Sequence, residues 1–261
     1  MFNCCSLYSG SSGNSFLVST DNTKILIDAG VSCKKIIEAL DSLNVSINDI
    51  TAILITHEHI DHTKGVPLIS HKYNIPVYAT KKTWDNFNHD KIDINNIKIF
   101  NAEESFTVGD ITVFPFSTPH DAADPCGFKI SYDNKTMCIA TDLGFVSPTV
   151  FKHFESSSLV MLESNYDPEV LKFSSYPLKL KQRINSNIGH LSNISAGETI
   201  SKLANFNLKN AILIHLSQEN NVPELALTTI QEELTKNNVN LDSINIEVAP
   251  RCTPSRFFKI G

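Results

Sequence analysis

The residues best equipped for chemistry lie in one short run, His57-Glu58-His59-Ile60-Asp61-His62, where three imidazoles and two carboxylates fall within six positions. Neutral imidazole nitrogen and carboxylate oxygen suit zinc, manganese or iron, and no thiolate is among them. The run directly follows Thr51–Thr56, TAILIT, an apolar stretch that reads as a buried strand. A loop leaving a strand end can turn alternate and adjacent side chains toward one point, so such a cluster can serve two neighbouring ions. For one isolated histidine the plain reading is a satisfied polar group; so many ligand types in one run after a buried strand argue against it.

Three more ligand-type residues stand at or just after predicted strands. His120 follows ITVFPF after a short turn, Asp142 ends MCIAT and precedes Gly144, and His215 ends AILIH. Each alone has an ordinary explanation, such as a helix cap for Asp142 or a core histidine for His215. They would converge if the strand ends lay at one edge of the sheets. Asp28 ends a further strand and is the natural group to orient a ligand histidine through its other ring nitrogen.

A second histidine motif, Gly189-His190-Leu191-Ser192-Asn193, falls between two predicted helices, where His190 either caps a helix near Ser192 or takes part in chemistry. Glu163, at the strand end in LESNYD, can orient it. Between them lies the basic stretch KFSSYPLKLKQR, with Lys172, Lys179, Lys181 and Arg183. It reads either as a solvated helix face or as a track for a phosphate backbone, with Tyr166 or Tyr176 stacking on a base. Arg251 and Arg256, in APRCTPSR, are further phosphate candidates. The loop Ser9-Gly10-Ser11-Ser12-Gly13-Asn14-Ser15 has glycines that could present N–H donors to an anion. It lacks a P-loop lysine and joins two strands, so it is read as a hairpin turn bordering the site. Asn14, Tyr166, Lys181, Arg183, Ser192, Asn193 and Arg251 are the candidate substrate contacts.

The elements that must position these groups come in a mixed order. Strands are expected at Phe2–Tyr8, Ser15–Ser19, Lys24–Asp28 and Thr51–Thr56, with a helix over Ser32–Leu43 that Ser32 caps and whose Ile36, Ile37, Leu40 and Leu43 share a face. A helix is expected to start just after His62. Strands follow at Ile97–Phe100, Ile111–Phe116, Gly127–Tyr132 and Met137–Thr141, with Asp133-Asn134 as a hairpin turn. After a helix at Pro148–Phe154 and a strand at Leu159–Glu163, helices dominate: Asp167–Ser174, Pro177–Asn185, Ser195–Asn205 and Pro223–Asn237. The strand Ala211–His215 interrupts them, and Ile244–Val248 and Phe257–Ile260 close the chain. Two mixed sheets packed face to face with helices outside account for this order, an αββα four-layer sandwich of α/β (α+β) class.

The 261 residues suffice for one domain, 1–261, and 41% hydrophobic residues provide its core. No apolar run reaches the ~18–20 residues that span a bilayer, and the start, MFNCC, has neither a basic nor a continuous apolar region of a signal peptide. A cytoplasmic protein without membrane partners is expected. The six cysteines are scattered without a C-x-x-C and read as reduced, mostly buried thiols. A formal charge of −6 argues against nucleic-acid binding through the overall field, so such contact must come from a local basic patch and from metals.

HEHIDH matches the H-x-H-x-D-H motif of the metallo-β-lactamase superfamily, and Asp28, His120, Asp142 and His215 occur in the family's order. The resemblance implies the metallo-β-lactamase fold and two divalent metal ions, zinc or manganese, with iron possible. His57, His59 and His120 would hold one ion, Asp61, His62 and His215 the other, and Asp142 would bridge them; Asp61 would serve catalysis as well as binding. Seven ligands for two ions imply a pair ~3.5–4 Å apart sharing a hydroxide that attacks the substrate. GHLSN resembles the extra histidine of the phosphodiesterase branches, which implies that His190 contacts the phosphate or protonates the leaving oxygen, with Glu163 behind it. SGSSGNS, STPHDAADP, ATDLG, ESNYD, PLKLKQRI and HLSQENN complete a pattern similar to the small bacterial WalJ/YycJ-type nucleases. A 5′→3′ exonuclease on double-stranded DNA is therefore the implied function. The rivals are a small-molecule phosphodiesterase or other hydrolase of this fold and a catalytically silent binding module. Oligomeric state is left open.

Overall fold

The computed structural model describes every residue of the chain except Asn207. Among the described residues the strands form two seven-stranded sheets. The first has the order β14-β1-β2-β3-β4-β5-β6 and the second β13-β12-β11-β10-β9-β8-β7. Each is mixed, with antiparallel and parallel pairs, and helices flank them, as expected. The chain divides into two compact units. One comprises residues 1–117, 122–135 and 250–261, the other residues 118–121 and 136–249.

The first unit runs β1 (Asn3–Tyr8), β2 (Ser15–Ser19), β3 (Lys24–Ile27), α1 (Cys33–Ser42), β4 (Ala52–Leu54), α2 (Ile60–Thr63), α3 (Val66–Tyr73), β5 (Val77–Ala79), α4 (Lys81–Asn86), β6 (Ile97–Ile99), β7 (Phe106–Val108), β8 (Ile111–Ser117) and β9 (Cys126–Tyr132). β3, β4, β5 and β6 pair in parallel, whereas β1 and β2 join antiparallel. β2 and β4 are buried along their whole length, as strands covered on both faces are. Ser32 caps α1 by accepting from the Lys35 amide, and Ile36, Ala39 and Leu40 turn into the core, with Ile37 and Leu43 packed at its margin.

The second unit runs β10 (Lys135–Ala140), α5 (Pro148–Phe154), β11 (Leu159–Glu163), α6 (Pro168–Phe173), α7 (Leu178–Ile184), α8 (Asn193–Leu203), β12 (Asn210–Ile214), α9 (Pro223–Lys236) and β13 (Asn245–Val248); β14 (Phe258–Lys259) returns to the first. β10, β11, β12 and β13 pair in parallel, and β11 is wholly buried. In parallel sheets the carboxyl ends of the strands are where ligands gather. Both units follow this rule: Asp28 follows β3 and His57 follows β4 in one, while Asp142, Glu163 and His215 stand at or just past the ends of β10, β11 and β12 in the other.

Several expectations are corrected. The helix expected after His62 begins inside the motif, at Ile60. The His59 carbonyl accepts from the amides of His62 and Thr63, so the chain winds before the last two motif residues. α3, from Val66, lies where a helix after His62 is expected, whereas the short elements β5, α4 and β7 carry no such signal in the sequence. Asp133 and Asn134 do make the hairpin turn, both with positive φ (46° and 61°), the conformation of a type I′ turn. All six cysteines are free, and all but Cys252 are buried.

Gly30 decides how closely the loop after β3 approaches the histidine run. A Cβ placed there would lie 1.6 Å from the Asp61 carbonyl oxygen and 2.7 Å from the Asn14 amide nitrogen. These are backbone atoms, fixed by hydrogen bonds from Asn14 N to Asp61 O and from Gly30 N to Asn14 O, each 2.8 Å. Gly30→Ala is expected to cost about 3 kcal/mol of stability, read as a lowered urea midpoint. An unchanged midpoint would show that this contact is loose.

Candidate metal centre

In the first unit the histidine run is held from behind. Ala29 N donates to the His62 carbonyl (2.9 Å) and Gly65 N to the Ala29 carbonyl (2.8 Å), so the backbone leaving β3 and the turn of α2 brace each other. Asp28, fully buried, accepts from the Thr56 amide and hydroxyl at 2.9 Å each, and its Oδ2 lies 2.7 Å from His62 Nδ1. A carboxylate only accepts, so His62 donates from Nδ1 and keeps Nε2 as its lone pair, 3.5 Å from Asp61 Oδ2. Burial pushes the Asp28 carboxyl above its ordinary range, and the His62 and Thr56 contacts offset this only in part. Thr56 Oγ1 is also 3.0 Å from His57 Nδ1, and His57 Nε2 faces His59 Nδ1 at 3.0 Å. The His57 ring lies 4.5 Å from that of His59 and 4.2 Å from that of His62.

The remaining motif carboxylate, Glu58, is a strut, accepting from the Ala123 amide (2.8 Å). Thr56, which ties Asp28 to His57 and His62, was not recognised from sequence; a threonine at the end of an apolar strand carries no signal of such a role. Replacing Asp28 with asparagine, which tolerates its positive φ, is expected to leave the chain folded and weaken metal binding about 10–100-fold. Titration with a competing chelator checks this, and unaltered affinity would remove Asp28 from the site.

The second unit carries the other candidates. His120 Nδ1 donates to the Gly189 carbonyl (2.9 Å), which leaves Nε2 facing Asp142 Oδ1 at 3.7 Å. Asp142 Oδ2 accepts from Thr141 Oγ1 (2.7 Å) and lies 3.3 Å from His215 Nδ1. His190 Nδ1 is 2.7 Å from Glu163 Oε1 and 3.5 Å from Asp142 Oδ1. Glu163 is fully buried, and its other oxygen accepts from the amides of Leu143 (2.9 Å) and Leu191 (3.2 Å). Burial alone would lower the His190 pKa, but the Glu163 carboxylate, with Asp142 behind it, overcomes that and raises it to about 9. The His190 side chain keeps 13% exposure while its partner keeps none. Asp142, Glu163, His190 and His215 each offer one ligand atom within 4.8 Å of the others.

Asp28, Asp142 and His215 share one more property: each follows a strand with positive φ, at 58°, 54° and 56°. The left-handed region is uncommon for residues other than glycine, and such outliers collect at functional sites.

The donor set fits divalent metal ions. It offers imidazole nitrogen and carboxylate oxygen, many with their second polar atom already fixed by a neighbour, and no cysteine is among the candidate groups.

The expected substrate contacts fare less well. Asn14 is buried and serves the histidine loop, its amide nitrogen 3.2 Å from His62 Nε2 and its carbonyl oxygen accepting from Gly10 N. Tyr166 is 4% exposed and donates to Asn185 Oδ1, so its ring packs in a small cluster with Leu171 and Ile184 and is not open to a base. Ser192 is the N-cap of α8, and Asn193 lies in a buried amide network with Ser164 and Asn221. All four have internal partners, which polarity in the sequence does not report. Arg183 forms a two-point bond to Asp121 at 2.5 and 2.8 Å, and Lys181 Nζ donates to the Lys172 carbonyl. Arg251 is half-buried beside the hairpin turn, its carbonyl accepting from Ser9 N.

Comparison with known proteins agrees with this architecture. Residues 23–216 match the family model described as the β-lactamase superfamily domain, and the chain belongs to that superfamily. It is 40% identical over 234 residues to the exodeoxyribonuclease WalJ of Streptococcus pneumoniae, covering 88% of this chain and 87% of that one. The exodeoxyribonuclease YycJ of Bacillus anthracis is 37% identical over 230 residues, covering 87% of each. Among solved structures, the metallo-β-lactamase fold protein YhfI of Bacillus subtilis superposes with a TM-score of 0.74 over 98% of this chain and all of that one. Its identity is 15%, so the likeness is one of fold. No helix among the described residues is long and apolar enough to cross a membrane.

Proposed function

We propose that this chain is a divalent-metal-dependent exodeoxyribonuclease, degrading double-stranded DNA from the 5′ end, located in the cytoplasm and working as one domain over residues 1–261. The observation that carries the chemistry is the Glu163–His190 pair, with Glu163 fully buried, His190 partly open and Asp142 alongside. DNA as the substrate is supported by the two relatives named exodeoxyribonucleases, each similar over most of its length. His57, His59 and His120 would hold one ion, Asp61, His62 and His215 the second, with Asp142 between them. Zinc and manganese suit these donors, and iron is compatible.

Bound ions supply Lewis acidity and lower the pKa of the attacking water. The protein's own residues do the rest. Asp28 keeps the His62 ring in one orientation, and Gly189 does the same for His120. His190, its Nδ1 held by Glu163, presents Nε2 as proton donor to the oxygen leaving phosphorus. The Glu163 carboxylate stabilises the imidazolium before that transfer. As a water oxygen bonds to phosphorus, the P–O bond to the leaving nucleoside oxygen breaks and the proton moves from Nε2 to that oxygen, so the leaving group departs as a neutral alcohol. Arg251 is a candidate phosphate contact.

The test uses end-labelled duplex DNA and matched RNA, with metal-stripped protein and then added Mn²⁺ or Zn²⁺. Chelator is expected to reduce activity to background and the metal to restore it, with nucleotides lost stepwise from the 5′ end of DNA. Cleavage of neither polymer by folded, metal-loaded protein would overturn the exonuclease reading and leave a small phosphodiester as the substrate.

A further inference from the structure

We propose that the hairpin of α6 and α7 is an arm that receives the end of a DNA duplex, with Phe173 and Leu178 against the terminal base pair and lysines on the flanking phosphates; this rests on the exonuclease reading. Tyr166, Leu171 and Ile184 form a small core of their own beneath these helices, with Tyr176 and Leu180 against it. That core does not use Phe173 or Leu178. They stand 78% and 70% exposed, so the packing of the arm gives no reason for them to be apolar.

Charge selects the partner. Residues 167–188 carry four basic side chains against two carboxylates, in a chain whose formal charge is −6. Lys172 Nζ lies 5.0 Å from the centroid of the Phe173 ring and pairs with Glu169 at 3.2 Å, Lys181 Nζ donates to the Lys172 carbonyl, linking α7 to α6, and Lys179 stands beside them. Aromatic side chains that stack on bases, beside basic side chains that follow the phosphates, are how proteins hold nucleic acid without reading its sequence. The end of a duplex offers both: the open face of its last base pair and a row of phosphates beside it.

Distance fits as well. The amide of His190 donates to the carbonyl of Ile184, the last residue of α7, at 2.9 Å. Leu178 is the first residue of that helix, so at ~1.5 Å per residue it lies about 9 Å along the axis from this anchor. A strand advances ~3.4 Å per nucleotide, so these helices stand close to the segment that carries the proton donor on the scale of a duplex end. At its base Arg183 is clamped to Asp121, the neighbour of His120, which fixes the arm's root.

The experiment compares the full-length, metal-loaded chain with its Phe173→Ala/Leu178→Ala double variant and with Phe173→Trp. Blunt-ended duplex DNA is the substrate, and bis(p-nitrophenyl) phosphate, too small to reach the arm, is the reference. The double variant is expected to show at least about a tenfold rise in KM for duplex relative to the reference reaction, and Phe173→Trp to remain close to wild type. A duplex KM unchanged in the double variant overturns the arm while leaving the exonuclease reading intact. A wild-type chain that cleaves the reference ester but not duplex overturns both. A halving of the mass in solution on double substitution would show that Phe173 and Leu178 join two copies of this chain, and would also overturn the arm.

Discussion

Asp142→Ala is expected to bring DNA hydrolysis to background, a fall of more than about 10³-fold, and to empty at least one metal position. The two carboxylate oxygens face different partners: Oδ1 looks toward His120 and His190, Oδ2 toward His215. One side chain thus stands among three imidazoles. Loss of a mere supporting partner costs about 10–100-fold, so a ligand with two such faces should cost more. Metal content by elemental analysis and exonuclease rate, with circular dichroism to verify folding, form the measurement. A folded variant that retains two metals and its rate would show that Asp142 is not a ligand.

His190→Ala is expected to retain its metals and lose about 10²–10⁴-fold in turnover on DNA, the range for removal of a general acid. The nature of the leaving group separates proton donation from simple phosphate binding. A nucleoside hydroxyl needs a proton to depart, whereas p-nitrophenolate does not. The His190→Ala variant should therefore lose far less on the chromogenic diester than on DNA. Glu163→Gln, which keeps the shape but loses the charge that holds the imidazolium, should follow the same pattern more weakly. Equal losses on both substrates would remove His190 from proton transfer.

The candidate centre was legible in the sequence because its residues combine chemical type with position after strongly apolar strands. TAILIT before HEHIDH, MCIAT before Asp142 and AILIH at His215 all lie where strand-end ligands would be sought, and the strands are buried as their composition requires. α5 matches its expected bounds, with Ser147 capping and Pro148 opening the helix. Other elements were hidden for physical reasons. The helix expected after His62 has its longer part in α3, which a proline start at Val66-Pro67 and a left-handed Asn74 bound. β5 and β7 have three residues each, too few to show a period. The early winding of α2 is set by the braces from Ala29 and Gly65, distant contacts to which no local pattern responds. The surroundings of the expected substrate contacts were least legible, because Asn14, Tyr166, Ser192 and Asn193 also bond internally.

The left-handed backbone at Asp28, Asp142 and His215 has a bearing on attempts to improve this protein. Each such conformation costs on the order of 1–3 kcal/mol with an ordinary side chain and far less with glycine. Glycine would relieve it, but it would strand the Thr56 and His62 donors at Asp28 and the Thr141 hydroxyl at Asp142, and leave a buried void at His215. The contacts that hold the strained backbone are the ones that place the ligand groups, so any screen for robustness here must score turnover in the same round.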